Sequence, residues 1–400
     1  MTTHSTRHPE QIAQPIESMV ALTRDLVAIP SRGGEDSCQP MIDRVANWLA
    51  QHDISVTLLY SDGDAVGIVG EVTGTNPGPT YCLNACLDTA PFGDLSAWDA
   101  PPTKPHVVDG WLYGRGSADS KVAVAIFSHL ASEFQRRRRN LAGRLLLLFD
   151  ADEHTGRFEG VTTFLRDYAH VDGVMIGYPG NYGVIVGARG FYRAPVTLYG
   201  VGGHSGGRQK RTQNAIEKAA ELVCSLASAP IPTAVTDAFP LVPAITVTRI
   251  TGGSTYSMVP DRCEVHIDIR LTPAFNLETA KTLLRNTVET VDASRPGTAP
   301  AVIEDAESWP PYRLPDSSRV ASAMLTAART HLKPDIHAVV CGPSNIGNYF
   351  AAHGIDATCG FGVTYENIHA ANERIRLDTI GMTHNVYESA VRSLLAPQPL

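Results

Sequence analysis

Four stretches of the 400-residue chain gather acidic, histidine and glycine residues where chemistry could take place. Leu83-Asn84-Ala85-Cys86-Leu87-Asp88-Thr89 closes an apolar run. Gly114-Arg115-Gly116-Ser117-Ala118-Asp119-Ser120-Lys121 opens an amphipathic stretch. Phe149-Asp150-Ala151-Asp152-Glu153-His154-Thr155-Gly156 follows a run of leucines. Glu366-Asn367-Ile368-His369-Ala370-Ala371-Asn372-Glu373 follows the glycine-rich Cys359-Gly360-Phe361-Gly362. Carboxylates and imidazoles bind divalent metals and carry protons. Taken singly each stretch has an ordinary explanation. An Asp before a helix is commonly an N-cap, because its oxygen accepts from an unpaired backbone amide. A loop His is commonly solvated, and Asp-Glu-His-Thr-Gly can be a polar turn. Four such stretches in one chain are harder to explain that way.

The elements around them predict how they could meet. Residues 12–28 carry Ile16, Met19, Val20, Leu22, Leu26 and Val27 at helical spacing and stop at Ile29-Pro30, since proline disfavours helix before it. A second helix is expected over 40–52 and a third over 121–137. Residues 55–60, 65–72 and 80–87 read as strands, and the short apolar run 144–149 suits a buried one. Strands alternating with helices predict α/β architecture with a largely parallel sheet. In such sheets ligands gather beyond the carboxyl ends of the strands, where three of the four stretches would emerge.

The middle of the chain follows another pattern. Strand 191–200, helix 212–228, strands 244–250 and 263–271, helix 276–291 and strand 298–304 make the βαββαβ order of a ferredoxin-like α+β unit. The Pro/Ser/Asp-rich segment 308–318 reads as a return linker. Helix 320–331, strand 336–341 and helix 345–353 then resume the first pattern. The expected division is a catalytic domain over 1–188 and 307–400, interrupted by an inserted domain over 189–306.

Composition narrows the class. Lys+Arg is 33 and Asp+Glu 41, a net charge of −8, which argues against a nucleic-acid partner. The basic run Arg136–Arg139 reads as a solvated helix end favoured by the helix dipole. No apolar run is long enough for a membrane span, and residues 1–14 lack the apolar core of a secretion signal. Seven scattered cysteines without a CxxC pair fit a reducing cytoplasm.

Together the four stretches resemble the metallopeptidase family that includes aminoacylase, carboxypeptidase G, peptidase T and succinyl-diaminopimelate desuccinylase. Gly-Arg-Gly-x-x-Asp-x-Lys at 114–121 is the most specific piece. Supporting pieces are Gly203-His204-Ser205 with Asn214-Ala215-Ile216, and Gly252-Gly253 followed by Val259-Pro260 and Ile267-Asp268-Ile269-Arg270. The resemblance implies a zinc-peptidase-like catalytic domain with an inserted lid that mediates dimerisation. It also implies a hydrolase that cleaves a C–N bond with an activated water.

The family typically holds two zinc ions bridged by an aspartate, which aligns with Asp119. The resemblance completes one metal with His154 and His369. It places Cys86 and Tyr178 where the other metal's His and acidic ligands would be. Two imidazoles and a carboxylate suit Mn, Fe, Co or Zn and leave room for water and substrate. A thiol and a phenol bind best after losing a proton, against unperturbed pKa values of about 8.5 and about 10. The expectation is therefore one divalent transition metal per chain, with the second site disfavoured. Glu153 aligns with the general base, and Asp88 with a residue that supports a ligand. His204 matches a lid His that reaches a neighbouring subunit's site and stabilises developing negative charge. Arg270 and Arg189 offer forks for a substrate carboxylate. Ser257 stands at a substrate-contact position where relatives often carry Asn.

The leading expectation is hydrolysis of a small carboxylate-bearing N-acyl amino acid or related amide. A second is hydrolytic deamination of an activated aromatic amine, as in a family relative that removes the amine from nitroanthranilate. A third is a degenerate homologue that only binds or assembles. The expected partners are a small-molecule substrate and further copies of the chain, as a homodimer or higher homo-oligomer, with no nucleic acid and no membrane.

Overall fold

The hairpin Ser55–Ser61 and Asp64–Thr73 turns at Asp62-Gly63, with φ of 48° and 93°. Two consecutive positive φ values make the tight turn that joins antiparallel neighbours. The computed structural model describes residues 9–168, 170–207 and 212–397. These pack as two units. One comprises 1–186, 314–339 and 353–400, and the other comprises 187–313 and 340–352. The second unit thus takes in 187–188, 307–313 and 340–352, which the sequence places in the catalytic domain.

The first unit is built on a six-stranded sheet. Its order is Ser55–Ser61, Asp64–Thr73, Ala142–Asp150, Asn76–Cys86, Gly173–Ile176 and Ala357–Thr358. The last four strands run parallel, as expected; the hairpin makes the first two antiparallel. Leu145 to Phe149 are wholly buried, which explains the unbroken apolar run. Helix Val122–Arg136 buries Val124, Ala125, Phe127 and Leu130.

Register sets where the chemistry lies. Cys86 is directly opposite Asp150, and Asn84 directly opposite Ile176. Two of these parallel strands therefore end level and the third two residues earlier, and the chain beyond each leaves at the same end of the sheet. Residues 86–88, 150–154 and 177–178 emerge there together.

The second unit has the βαββαβ order. Ala244–Gly252, Arg262–Leu271, Gly190–Tyr199 and Val302–Ile303 form an antiparallel sheet. Helices Ala215–Ala227 and Leu277–Ser294 are capped by Asn214 and Asn276, whose side chains accept from the amides of Ile216 and Thr279. Leu198, Leu222, Val265, Ile267 and Leu284 fill the core. The strand expected over 298–304 shrinks to Val302–Ile303. Thr298 instead bonds Arg295 and Lys218, and the Ala301 amide bonds Asp292, which holds that stretch out of the ladder. The expected linker 308–318 is partly strand, because Glu307–Trp309 pairs with Gly190–Tyr199.

Candidate active site

Asp119 lies in a bend rather than at a helix N-cap, with φ −120° and ψ 93°, and its peptide to Ser120 is cis. Two glycines allow that bend. Gly116 has φ +80°, and a Cβ there would lie 2.5 Å from Thr89 Cγ2; at Gly114 a Cβ would lie 2.4 Å from Val27 Cγ1. The Gly-Arg-Gly pattern is therefore a requirement of close approach.

Asp119, His154 and His369 converge. One ligand atom from each lies within 4.8 Å of the others. His369 Nε2 is 2.9 Å and His154 Nε2 3.5 Å from the same Asp119 oxygen, Oδ2. The His154 side chain is 5% exposed, yet neither of its ring nitrogens makes a hydrogen bond. A buried imidazole with free nitrogens facing carboxylates is a poor resting arrangement without a cation. Burial by itself opposes charge on His154. Glu153, Asp119 and Asp88 overcome that and raise its pKa well above the ordinary value. The pocket thus attracts positive charge, a proton or a metal ion, and the donor set fits a divalent transition metal.

Cys86 belongs to a second group with Glu153 and His154 whose ligand atoms also lie within 4.8 Å of one another. Its Sγ is 3.1 Å from Ser120 Oγ and 3.5 Å from Asp119 Oδ1. Burial pushes the thiol well above its ordinary pKa, and Asp119, Glu153 and Asp88 add to that. Tyr178 points its phenol at Glu153 and donates to Oε1 at 2.6 Å. Burial, and next the charge of Glu153, raise that phenol well above its usual range.

Glu153 itself is pushed up to about 7. Burial is the main cause, with Asp119 and Asp88 adding to it, while His154 and the Tyr178 hydrogen bond pull it down. A carboxylate poised near neutrality suits a general base. Asp88 is fully buried and accepts from the backbone amides of Glu153 at 3.2 Å and His154 at 2.7 Å. It thereby holds the backbone of Glu153 and His154.

The remaining expected site residues belong to the second unit. His204 is exposed in a short strand, and its Nδ1 accepts from the Gly206 amide at 3.0 Å. Ser257 is exposed, and its carbonyl accepts from the Ser205 amide. Arg189 donates to the carbonyls of Gly342 and Val242, and Arg270 pairs with Asp268 at 2.8 Å. Burial lowers the Arg189 pKa, and the charge of Arg270 lowers it further, so the two guanidinium groups feel one another.

Sequence reading missed two participants. The Ser120 hydroxyl accepts from the Cys86 backbone amide at 3.0 Å and lies 3.1 Å from the Cys86 Sγ. Glu373 bonds the Asp119 bend. The only sequence signal for either was membership of a chemistry-bearing stretch.

A succinyl-diaminopimelate desuccinylase of Halorhodospira halophila is 26% identical over 396 residues, covering 96% of this chain and 100% of that protein. One from Psychrobacter arcticus is 26% identical over 380 residues, 90% of each. The crystal structure of the aminopeptidase PepT from Bacillus cereus superposes with a TM-score of 0.78 at 19% identity, over 95% of this chain and 98% of that one. Human carnosine dipeptidase 1 gives 0.75 at 17%, over 96% and 97%. The sequence profile of Peptidase family M20/M25/M40 matches residues 82–393. The chain belongs to that family and is a metal-dependent hydrolase of the peptidase and amidohydrolase type.

Proposed function

We propose that this protein hydrolyses a C–N bond in a small carboxylate-bearing molecule, using one divalent metal per chain and Glu153 as general base. The observation that carries the reading is the convergence of Asp119, His154 and His369 beside Glu153. A divalent ion held by those three residues supplies Lewis-acid polarisation and acidifies water. Glu153 takes a proton from the attacking water and passes it to the leaving nitrogen. The water oxygen becomes part of the new carboxylate as the C–N bond breaks. Asp88 holds the backbone of Glu153 and His154 during these transfers. Arg189 and Arg270 offer paired positive charge for the substrate carboxylate, and Ser257 is a substrate contact. His204 is assigned to the negative charge that develops on the substrate oxygen. An N-acyl amino acid or related amide is the first substrate class.

The state of the other two groups bears on the number of ions. A buried protonated thiol at Cys86, and a phenol committed to Glu153 at Tyr178, support a single ion, since a ligand must lose its proton to bind. Those same features favour a second reading. With one ion, less help is available for a stable amide. An electron-poor aromatic amine such as nitroanthranilate accepts water at its activated ring carbon and expels ammonia. We further propose that the enzyme works in the cytoplasm as a homo-oligomer.

A substrate panel of N-acyl amino acids and nitro-substituted aminobenzoates, assayed with Mn-loaded protein, separates the readings. Carboxylate release supports deacylation, and ammonia release supports deamination. Turnover of neither class by protein that binds Mn with normal affinity rejects both and favours a binding homologue.

A further inference from the structure

The acid Glu373 is fully buried. It sits four positions beyond His369, and its carboxylate reaches into the Asp119 bend. Oε1 accepts from the amide of Ala118 at 2.9 Å and from that of Asp119 itself at 3.2 Å. Oε2 takes the Arg115 guanidinium at 2.7 Å, in an ion pair whose side chains are 2% and 1% exposed. The Glu373 carbonyl accepts from the Gly114 amide at 2.9 Å. Immediately after it, Arg374–Arg376 pairs antiparallel with Trp111–Tyr113. The turn that carries His369 is thereby tied to the bend that carries Asp119, although the two ligands are 250 positions apart.

We infer that Glu373, with Arg115 as its counter-ion, is the positioning residue that sets metal affinity by holding Asp119 and His369 in register. The inference rests on the reading of Asp119 and His369 as ligands. The two amides that Glu373 accepts have few alternatives. Asp119 and Ser120 depart from helical φ/ψ, so the bend lacks the ladder of bonds a helix would provide. A carboxylate bound to a ligand's own backbone amide fixes where that ligand's side chain points. Groups that orient ligands from behind typically change metal affinity by roughly 10- to 100-fold when altered. Arg115 pairs with the buried acid, and its guanidinium lies over the Trp98 ring, 5.2 Å from the centroid.

The test is Mn titration of the metal-stripped full-length chain by calorimetry, with the melting temperature of each metal-free variant measured alongside. Glu373→Asp keeps the charge beside Arg115 but is one methylene too short to reach both amides. Its expected result is a melting temperature close to wild type and an Mn affinity lowered roughly 10- to 100-fold. Removing one member of a buried pair risks unfolding. The paired variant Glu373→Gln with Arg115→Met therefore supplies a charge-free pair, which should fold and bind Mn more weakly than wild type. His369→Ala serves as the control for the ligand reading and as a background. In it Glu373→Asp should cost far less, because the register it maintains has no partner. Wild-type Mn affinity in folded Glu373→Asp and in the paired variant, with affinity lost in His369→Ala, overturns this inference alone. Equal losses with and without His369 also overturn it. Unchanged affinity in His369→Ala rejects the metal-site reading itself.

Discussion

The Tyr178 hydroxyl donates to Glu153 Oε1 at 2.6 Å, across 25 positions of sequence. Glu153 Oε2 lies 3.1 Å from His154 Nδ1, a close charge contact, so each oxygen of Glu153 has a polar neighbour. The phenol thus engages Glu153, from the position where the resemblance places a second metal's ligand.

Replacing Tyr178 by Phe removes one hydrogen bond from an ionised carboxylate, a contribution of about 1.5–3 kcal/mol. The expected result is a kcat reduced roughly 10- to 100-fold with little change in KM. The bond lowers the Glu153 pKa, so its loss raises it. Activity requires the ionised base and therefore rises with pH through that pKa, and the acidic limb of kcat/KM should move to higher pH in Tyr178→Phe. An unmoved limb would show that the phenol does not act through Glu153.

Glu153→Gln keeps the shape of the site and removes the proton acceptor. A kcat lower by about 10²- to 10⁴-fold is expected. Mn stoichiometry, read by elemental analysis, should stay at the wild-type value. Loss of the metal in this variant would make Glu153 a ligand instead of a base.

Stoichiometry checks the single-ion reading. Mn, Zn and Co titrations should each plateau near one ion per chain, with the plateau abolished by His154→Ala and unaffected by Cys86→Ala. A plateau near two that drops to one in Cys86→Ala contradicts that reading and restores an ordinary two-metal enzyme.

Protons and metal compete for His154. Its pKa is raised well above the ordinary 6.5, because Glu153, Asp119 and Asp88 outweigh burial. A raised pKa keeps the proton in place to higher pH, so Mn affinity should still climb as pH increases beyond 6.5. An unperturbed imidazole would level off there. Calorimetric Mn affinities at successive pH values from 6 upward give the answer, and a plateau already reached at 6.5 contradicts the direction.

Gly116→Ala puts a Cβ into a left-handed backbone position and against Thr89 Cγ2. A destabilisation of about 1–3 kcal/mol follows from the backbone alone. Denaturant unfolding measures it, and a variant as stable as wild type would show that the bend can relax.

Much of this protein was legible before any coordinates. The Gly-Arg-Gly-x-x-Asp-x-Lys stretch, the leucine run before Asp150 and the βαββαβ order are local patterns, written in neighbouring residues by period and turn chemistry. They are enough for two units, a parallel-containing sheet and the candidates Asp119, Glu153, His154 and His369. The Asp62-Gly63 turn is equally local, and it makes the first two strands antiparallel.

What the tertiary structure decided is pairing between distant positions. Cys86 stands level with Asp150 because two parallel strands share a register, and no periodicity encodes a register across 64 residues. Tyr178 could have faced a metal or the base, and only the strand end at Ile176 directs it to Glu153. Glu373 reads in sequence as one more polar residue in a turn. Its burial against Arg115 and the amides of the Asp119 bend arises only when segments some 250 residues apart are folded onto each other, where a carboxylate removed from water must find every partner it lacks.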